Sequence, residues 1–389
     1  MNNPLDRRPK LIALYFPQLH AIPENDAWWG QGFTDWVNVG RAKRLYRGHH
    51  QPRVPAGLGV YDQSREDVIR HQIDLAKAHG IYGFSHYHYW FDGKQLLETP
   101  TNRFLAARDI DFRFCLNWAN ETWSRRWDGQ DHHILQLQTH PPEKERWELH
   151  FQYLIKAWTD PRAICIDGKP LFLIYRPLRI PQLGDMLDYW RTRAHAYGLP
   201  GLYFATVQQF HRPPSEVLRH FDALMLFQPF ASMANTGPMR VARWRKALQQ
   251  LPYALPRAMP KLLHRALVEH TPLSPLVERL TQPVFYDYQR VWRDIISRRD
   301  PPGTTIFPGA FVDWDNTARY KRRATILLGA SPERFEFWLR RLLGAVTENR
   351  PEERLVFINA WNEWAEGAYL EPDERYGLRY LQAVKRAQE

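Results

Sequence analysis

The residues best suited to chemistry stand together near the end of the chain, in Asn362-Glu363-Trp364-Ala365-Glu366-Gly367. Glu363 and Glu366 follow an apolar run at 355–358 and are framed by Trp361 and Trp364. Two carboxylates among indoles suit work on a glycosidic bond: one carboxyl moves a proton, the second handles the anomeric centre, and ring faces hold a sugar. Ordinary surface acids at a strand end are the competing reading, since such acids are common. Spacing in sequence does not set the distance between carboxylates, so by itself it selects neither retention nor inversion.

The elements that must position this segment are legible as short apolar runs alternating with helical patterns. Strands are expected at 11–16, 81–90, 112–117, 170–175, 202–207, 223–227, 305–311 and 354–359. Helices are expected at 65–79, 95–107, 143–158, 183–197, 214–220, 286–298, 332–346 and 374–386, the first with Val68, Ile69, Ile73 and Ala76 at helical spacing and Gly80 as its stop. Apolar strands alternating with helices indicate a parallel sheet covered by helices. Eight such units in this length predict an α/β (β/α)8 TIM barrel with long βα loops, one domain over 1–389. An open doubly wound sheet is disfavoured because no glycine-rich phosphate turn follows the first strand. After the sixth strand the alternation breaks: 238–283 carries eight Lys or Arg against two Glu, with prolines throughout, and reads as a basic helical insertion.

The polar and aromatic clusters fall after strand ends, the face where such barrels place their sites. Expected substrate-binding residues are Tyr15, Gln18 and Trp36 after the first strand, His86, His88 and Tyr89 after the second, and Asn117, Trp118, Asn120 and Glu121 after the third. Tyr175, Gln208, Gln228, Asp313 and Trp314 follow the next four, and Trp361, Asn362 and Trp364 surround the acids of the eighth. Bland readings stand beside these. Tyr15 and Tyr175 read equally as core tyrosines. Glu121 pairs with Arg125 or Arg126, or binds a sugar hydroxyl. His86 and His88 alternate with Tyr87 and Tyr89, so one pair faces inward and the other outward. No complete metal-ligand set is visible, and no metal or other cofactor is expected.

Sixteen Trp, 18 Tyr and 20 Phe suit a sugar cleft, although many must be core. A net charge of +11 allows an anionic glycan or a membrane surface as a contact for the 238–283 insertion; no nucleic-acid motif is present. Cys115 and Cys165 each sit in an apolar run and read as buried small hydrophobes. Without a signal-like or membrane-spanning run, the expected location is the cytoplasm, with peripheral contact at the inner membrane.

The longer motifs carry a resemblance. Tyr15-Phe16-Pro17-Gln18, Trp28-Trp29-Gly30, Gly32-Phe33-Thr34-Asp35-Trp36, Tyr87-His88-Tyr89-Trp90-Phe91, Asn117-Trp118-Ala119-Asn120-Glu121-Thr122-Trp123, Asp167-Gly168-Lys169-Pro170 and Asn359-Ala360-Trp361-Asn362-Glu363-Trp364-Ala365-Glu366-Gly367 look like those of the WbsX-like glycosyltransferases of lipopolysaccharide O-antigen synthesis. That group in turn resembles glycoside hydrolase family 99, endo-α-mannosidases and endo-α-mannanases built on TIM barrels. The basic insertion has no counterpart in the resemblance. It implies Glu363 as base and Glu366 as general acid of a retaining enzyme acting on α-linked bacterial polysaccharide. The base would deprotonate the substrate's own 2-hydroxyl to give a 1,2-anhydro sugar. Tyr15 and Tyr175 occupy positions of pocket tyrosines. Transfer from an activated sugar and non-catalytic glycan binding are the alternatives; the former needs a nucleotide-sugar site, which Asp313-Trp314-Asp315 resembles only superficially.

Overall fold

A computed structural model describes residues 8–239, 282–301, 303–346 and 350–389. The expected insertion at 238–283 lies almost wholly outside the described residues. Nine parallel segments form a nearly closed barrel: β1 (Lys10–Tyr15), β2 (Gly83–Phe91), β3 (Arg113–Trp118), β4 (Lys169–Ile174), β5 (Tyr203–Gln208), β6 (Ala223–Leu226), β7 (Thr305–Phe307), β8 (Gly309–Phe311) and β9 (Leu355–Asn359). The run expected as one seventh strand is split at Pro308, which has no N–H to give a ladder. Its first half, β7, pairs with β6 and its second, β8, with β9, so the circle closes through the chain itself. The crossing is tight: a Cβ on Gly309 would lie 1.9 Å from the Leu226 carbonyl oxygen, so only glycine fits. The architecture is the expected (β/α)8 TIM barrel.

Helices cover the outside. Among them are α1 (Pro23–Trp29) and α2 (Asp35–Arg41) in the first βα loop, α3 (Glu66–Ala78), α4 (Thr99–Ala106), α5 (Lys144–Trp158), α6 (Leu183–Ala196), α7 (Ser215–Leu218), α8 (Phe230–Thr236), α9 (Tyr288–Ser297), α10 (Thr317–Tyr320), α11 (Pro332–Val346) and α12 (Arg379–Ala387). α1, α2, α8 and α10 are too short to show a period in sequence and read there as loop. The segment after β3 also folds back as a hairpin, Trp123–Arg125 with Gln130–Gln136. Val284–Asp287 and Thr325–Leu328 form a small parallel pair outside the barrel, which the sequence reading did not include. None of the described helices is long and apolar enough to cross a membrane.

Strand alternation divides the core in two. Ile12, Leu14, Leu171, Leu173, Ala205, Val207, Met225 and Phe357 fill the barrel. Leu11, Ala13, Phe84, Phe114, Phe172, Phe204 and Ile358 face the helix layer, where Trp190 and Trp292 are fully buried. Cys115 is buried inside the barrel as expected, whereas Cys165 is exposed, because it lies on a two-residue edge segment.

Candidate active site

Glu363 and Glu366 lie beyond the end of β9, in a short strand and 3-10 turn that close on the left-handed Gly367. Glu363 is 6% exposed. Both carboxylates converge on one guanidinium: Arg319 Nη2 donates to Glu363 Oε1 and Nη1 to Glu366 Oε1, each at 2.7 Å. Nη2 also donates to Asp35 Oδ2 at the start of α2. Three carboxylates thus share one buried cation. Burial pushes the proton affinity of both glutamates up, and Glu363 well up. Arg319 pulls the other way. For these two glutamates burial outweighs the attraction of the one cation they share.

The walls are aromatic. The Arg319 guanidinium lies 5.2 Å from the Phe16 ring centroid and 5.0 Å from that of Trp127, which stacks on Trp29 at 5.2 Å. Three phenols lie within the electrostatic reach of the acids. Tyr87, Tyr89 and Tyr175 are each raised above the ordinary phenol range, first by burial and then by neighbouring phenols and carboxylates, Glu366 among them. Glu121 belongs to the same field and is bonded by Arg176 Nε at 2.8 Å, so its partner is neither Arg125 nor Arg126. Arg176 also lies over Tyr175, whose hydroxyl accepts a hydrogen bond from Gln209.

Several expected site residues instead build the support. Asn362 clamps the end of β1, its Oδ1 accepting from Phe16 N at 2.8 Å and its Nδ2 donating to Phe16 O at 2.9 Å. Trp364 stacks on Tyr369 at 3.9 Å and donates Nε1–H to Glu371 at 2.7 Å. Trp36 packs at 5.4 Å on Trp364 and donates to the Tyr61 carbonyl. The Gln18 carbonyl accepts from Asp35 N at 3.1 Å and so seats α2. Asn120 ties two loops, its Oδ1 accepting from Arg176 N at 2.7 Å. Asn117 points into the barrel level with Tyr87, and both polar atoms of its amide are buried without a partner among the described residues.

Others are engaged elsewhere in the fold. Tyr15, His86, His88 and Trp118 sit on the opposite parity of their strands from Tyr87 and Asn117, and therefore face the helix layer. Tyr15 donates to Gln72 Oε1 at 2.7 Å beneath α3. His86 meets Thr101 at 3.1 Å, and His88 Nε2 meets His150 Nε2 at 2.8 Å. Burial pushes both His86 and His88 down to about 3, so they sit neutral. Trp361 packs outward against Phe84 at 5.1 Å. Gln208 accepts from Arg298 at 3.1 Å and Gln228 from Ser232 N at 3.3 Å, both on outward positions. Trp314 is 1% exposed against Phe230. Asp313 is bonded by Arg53 at 2.8 Å, while His49 and Gln51 hold Asp315 at 2.8 Å each. This pair of aspartates is closed by protein groups and braces the acid loop, since Asp315 N donates to Glu366 O at 2.7 Å.

The sequence reading missed Arg319 and placed Tyr87 second to the histidines. A buried acid pair demands a counter-charge, but nothing in the spacing identifies Arg319, which reaches the acids from the loop after β8. Asp35 was passed over for its neighbour Trp36; consecutive helical positions point about 100° apart, and Asp35 takes the inward one.

Two predictions arise here. His88→Ala leaves the His150 nitrogen buried without its partner and is expected to cost about 1–3 kcal/mol, read as a lowered urea midpoint. Glu371 accepts from Tyr61, Gln72 and Trp364 at 2.7–2.8 Å, and burial raises it to about 7. A carboxyl raised above its unfolded value contributes stability that is complete below pH ~4.5 and lost as pH rises through 7. Glu371→Gln is therefore expected to flatten the fall of Tm between pH 5 and 8. Identical slopes for the variant and the parent protein would refute that role.

Comparison with known proteins places this geometry in context. Residues 11–384 match the model of a family described as Glycosyltransferase WbsX. Two proteins of Xanthomonas campestris pv. campestris strains, each called Uncharacterized protein WxcX, are 38% identical over 97% of this chain and 49% of their own length. The chain thus spans about half the length of these curated relatives. Among solved structures, a glycoside hydrolase-like protein aligns with TM-score 0.55 at 13% identity, covering 98% of this chain and 94% of that one. The GH99 endo-alpha-mannosidase from Bacteroides thetaiotaomicron aligns with TM-score 0.52 at 12% identity, covering 97% and 96%. These likenesses bear on the fold.

Proposed function

Since the chain belongs to the glycosyltransferase WbsX family, we propose that it is a carbohydrate-active enzyme acting on α-linked bacterial polysaccharide, with Glu363 and Glu366 as its working carboxylates. The observation that carries this reading is the convergence of both buried acids on Arg319 beyond the end of β9, with Tyr87, Tyr89 and Tyr175 within their electrostatic reach. Burial raises the proton affinity of both glutamates, which favours keeping a proton on the pair. That is the resting state for acid–base work: one carboxyl gives its proton to the glycosidic oxygen while an ionised neighbour accepts one. In the proposed sequence the shared proton rests on Glu366 once substrate is bound, although burial raises Glu363 further in the free site; Glu363 then takes the proton of the substrate's 2-hydroxyl and the freed oxygen attacks C1. The C1–O bond breaks, and the leaving oxygen receives the proton of Glu366. Water, or an acceptor hydroxyl, then opens the 1,2-anhydro sugar. The phenols and Glu121 bind hydroxyls, and no metal or nucleotide takes part.

The family's own description favours a second reading, transfer from an activated donor. Aryl α-mannosides and α-rhamnosides, assayed beside nucleotide sugars, separate the two. Aryl release with retained configuration supports the first. Transfer from a nucleotide sugar with no aryl release sinks it.

A further inference from the structure

The carboxylates are only half of the electrostatics at this mouth. The segment that supplies Arg319 continues directly into Lys321-Arg322-Arg323, a 3-10 turn whose Lys321 and Arg323 are exposed and Arg322 half-buried. Lys321 has φ 51 and ψ −125, a backbone combination that an L residue with a side chain adopts only at a cost. Arg323 Nη2 donates to the Trp127 carbonyl at 3.3 Å, beside the left-handed Gly129, where a Cβ would lie 3.1 Å from Arg323 Nη1. Trp127 is the indole against which Arg319 rests. Arg126, next to it in sequence, is exposed. Four cations therefore lie on the two segments that carry Arg319 and Trp127. Among the described side chains no carboxylate bonds to Lys321, Arg322 or Arg126, whereas arginines elsewhere on the surface, such as Arg70, Arg193 and Arg350, are paired. Three successive like charges on a strained turn repel one another, and of the three only Arg323 makes a side-chain bond among the described residues.

We propose that this rim is a subsite for a negatively charged group, a phosphate or a carboxylate, borne by a sugar unit that flanks the bond placed at Glu363 and Glu366. The inference rests on the reading of the chain as glycan-active. It adds the substrate class: an anionic polysaccharide, held by its charge at the basic rim while its neutral, hydroxyl-bearing ring enters the acidic interior. The segregation is functional in sign, because an anionic ring inside would meet three carboxylates, whereas one at the rim meets guanidinium and ammonium groups suited to oxyanions.

The test measures binding and not turnover, using the full chain carrying Glu366→Gln so that ligand survives. The probes are α-linked manno-oligosaccharides bearing a phosphate, the same oligosaccharides bearing a uronate, the uncharged parent, and vesicles containing phosphatidylglycerol. We expect the charged oligosaccharides to bind about tenfold tighter than the uncharged one in 50 mM salt, with the preference shrinking at 500 mM. Lys321→Ser with Arg322→Ser, which removes one exposed and one half-buried charge and no described hydrogen bond or ion pair, is expected to abolish that preference and leave uncharged binding alone. The phosphate and uronate arms identify the oxyanion. Equal binding of charged and uncharged oligosaccharides, or no binding of a charged one, overturns the proposal. So does a double variant that keeps the preference, or binding confined to vesicles, which would make the rim a membrane contact. Failure of the carboxylate chemistry reads out separately, as loss of aryl release in the parent protein with the charge preference intact.

Discussion

Glu366→Gln and Glu363→Gln are each expected to lower turnover of a responsive α-glycoside by about 10³-fold without lowering stability. The activity loss follows from the proposed roles: an amide neither gives nor accepts the proton, and general acid–base groups contribute about 10²–10⁴. The preserved stability follows from the charge count at Arg319. Glu363, Glu366 and Asp35 compete for one guanidinium, and burial already raises both glutamates. Removing one carboxylate relieves repulsion and desolvation while the cation keeps two partners. Steady-state assays and urea melts at pH 7.5 check both halves. Turnover near the parent value in either variant would refute the catalytic assignment. Lost turnover with a lowered melt would make the glutamates scaffold.

Arg319→Leu is expected to do the reverse and damage the fold. Taking the cation from a buried ionic cluster leaves the remaining charges uncompensated, at about 3–5 kcal/mol. The pH dependence identifies the cause. Without Arg319 the folded-state proton affinities of the glutamates rise further above their unfolded values. Groups raised in this way contribute stability that is present below the unfolded pKa and disappears as pH climbs through the folded one. The deficit should therefore be largest at pH 8 and shrink towards pH 5. Arg319→Lys keeps the charge but not the planar fork that reaches three carboxylates, so it should recover most of the stability and little of the activity. A pH-independent deficit in Arg319→Leu would point to lost packing against Phe16 and Trp127 instead.

Much of this molecule was legible in its order of residues, for reasons that are local. A buried parallel strand must be apolar on both faces, and the covering helices must show a 3.6-residue stripe, so the eight βα units and most of their bounds could be read directly. Glu363 and Glu366 could be found for the same reason, because they follow an apolar run that could only be a strand, with an aromatic frame on either side.

What lay beyond sequence was parity, partner and closure. Whether His86 and His88 or Tyr87 and Tyr89 enter the barrel depends on the register of β2 against β1 and β3, and slipping it by one residue exchanges the two sets. Arg319 reaches Glu363 across 44 residues of chain and Asp35 across 284, and no periodicity spans such distances. Asp313 and Asp315 look free in sequence and are occupied in the fold, because Arg53, His49 and Gln51 arrive from the first βα loop. The sequence by itself determined the scaffold and which strand end carries the acids. The tertiary structure alone decided which side chains surround them, since the net charge of a buried cluster is set by groups that only folding brings together.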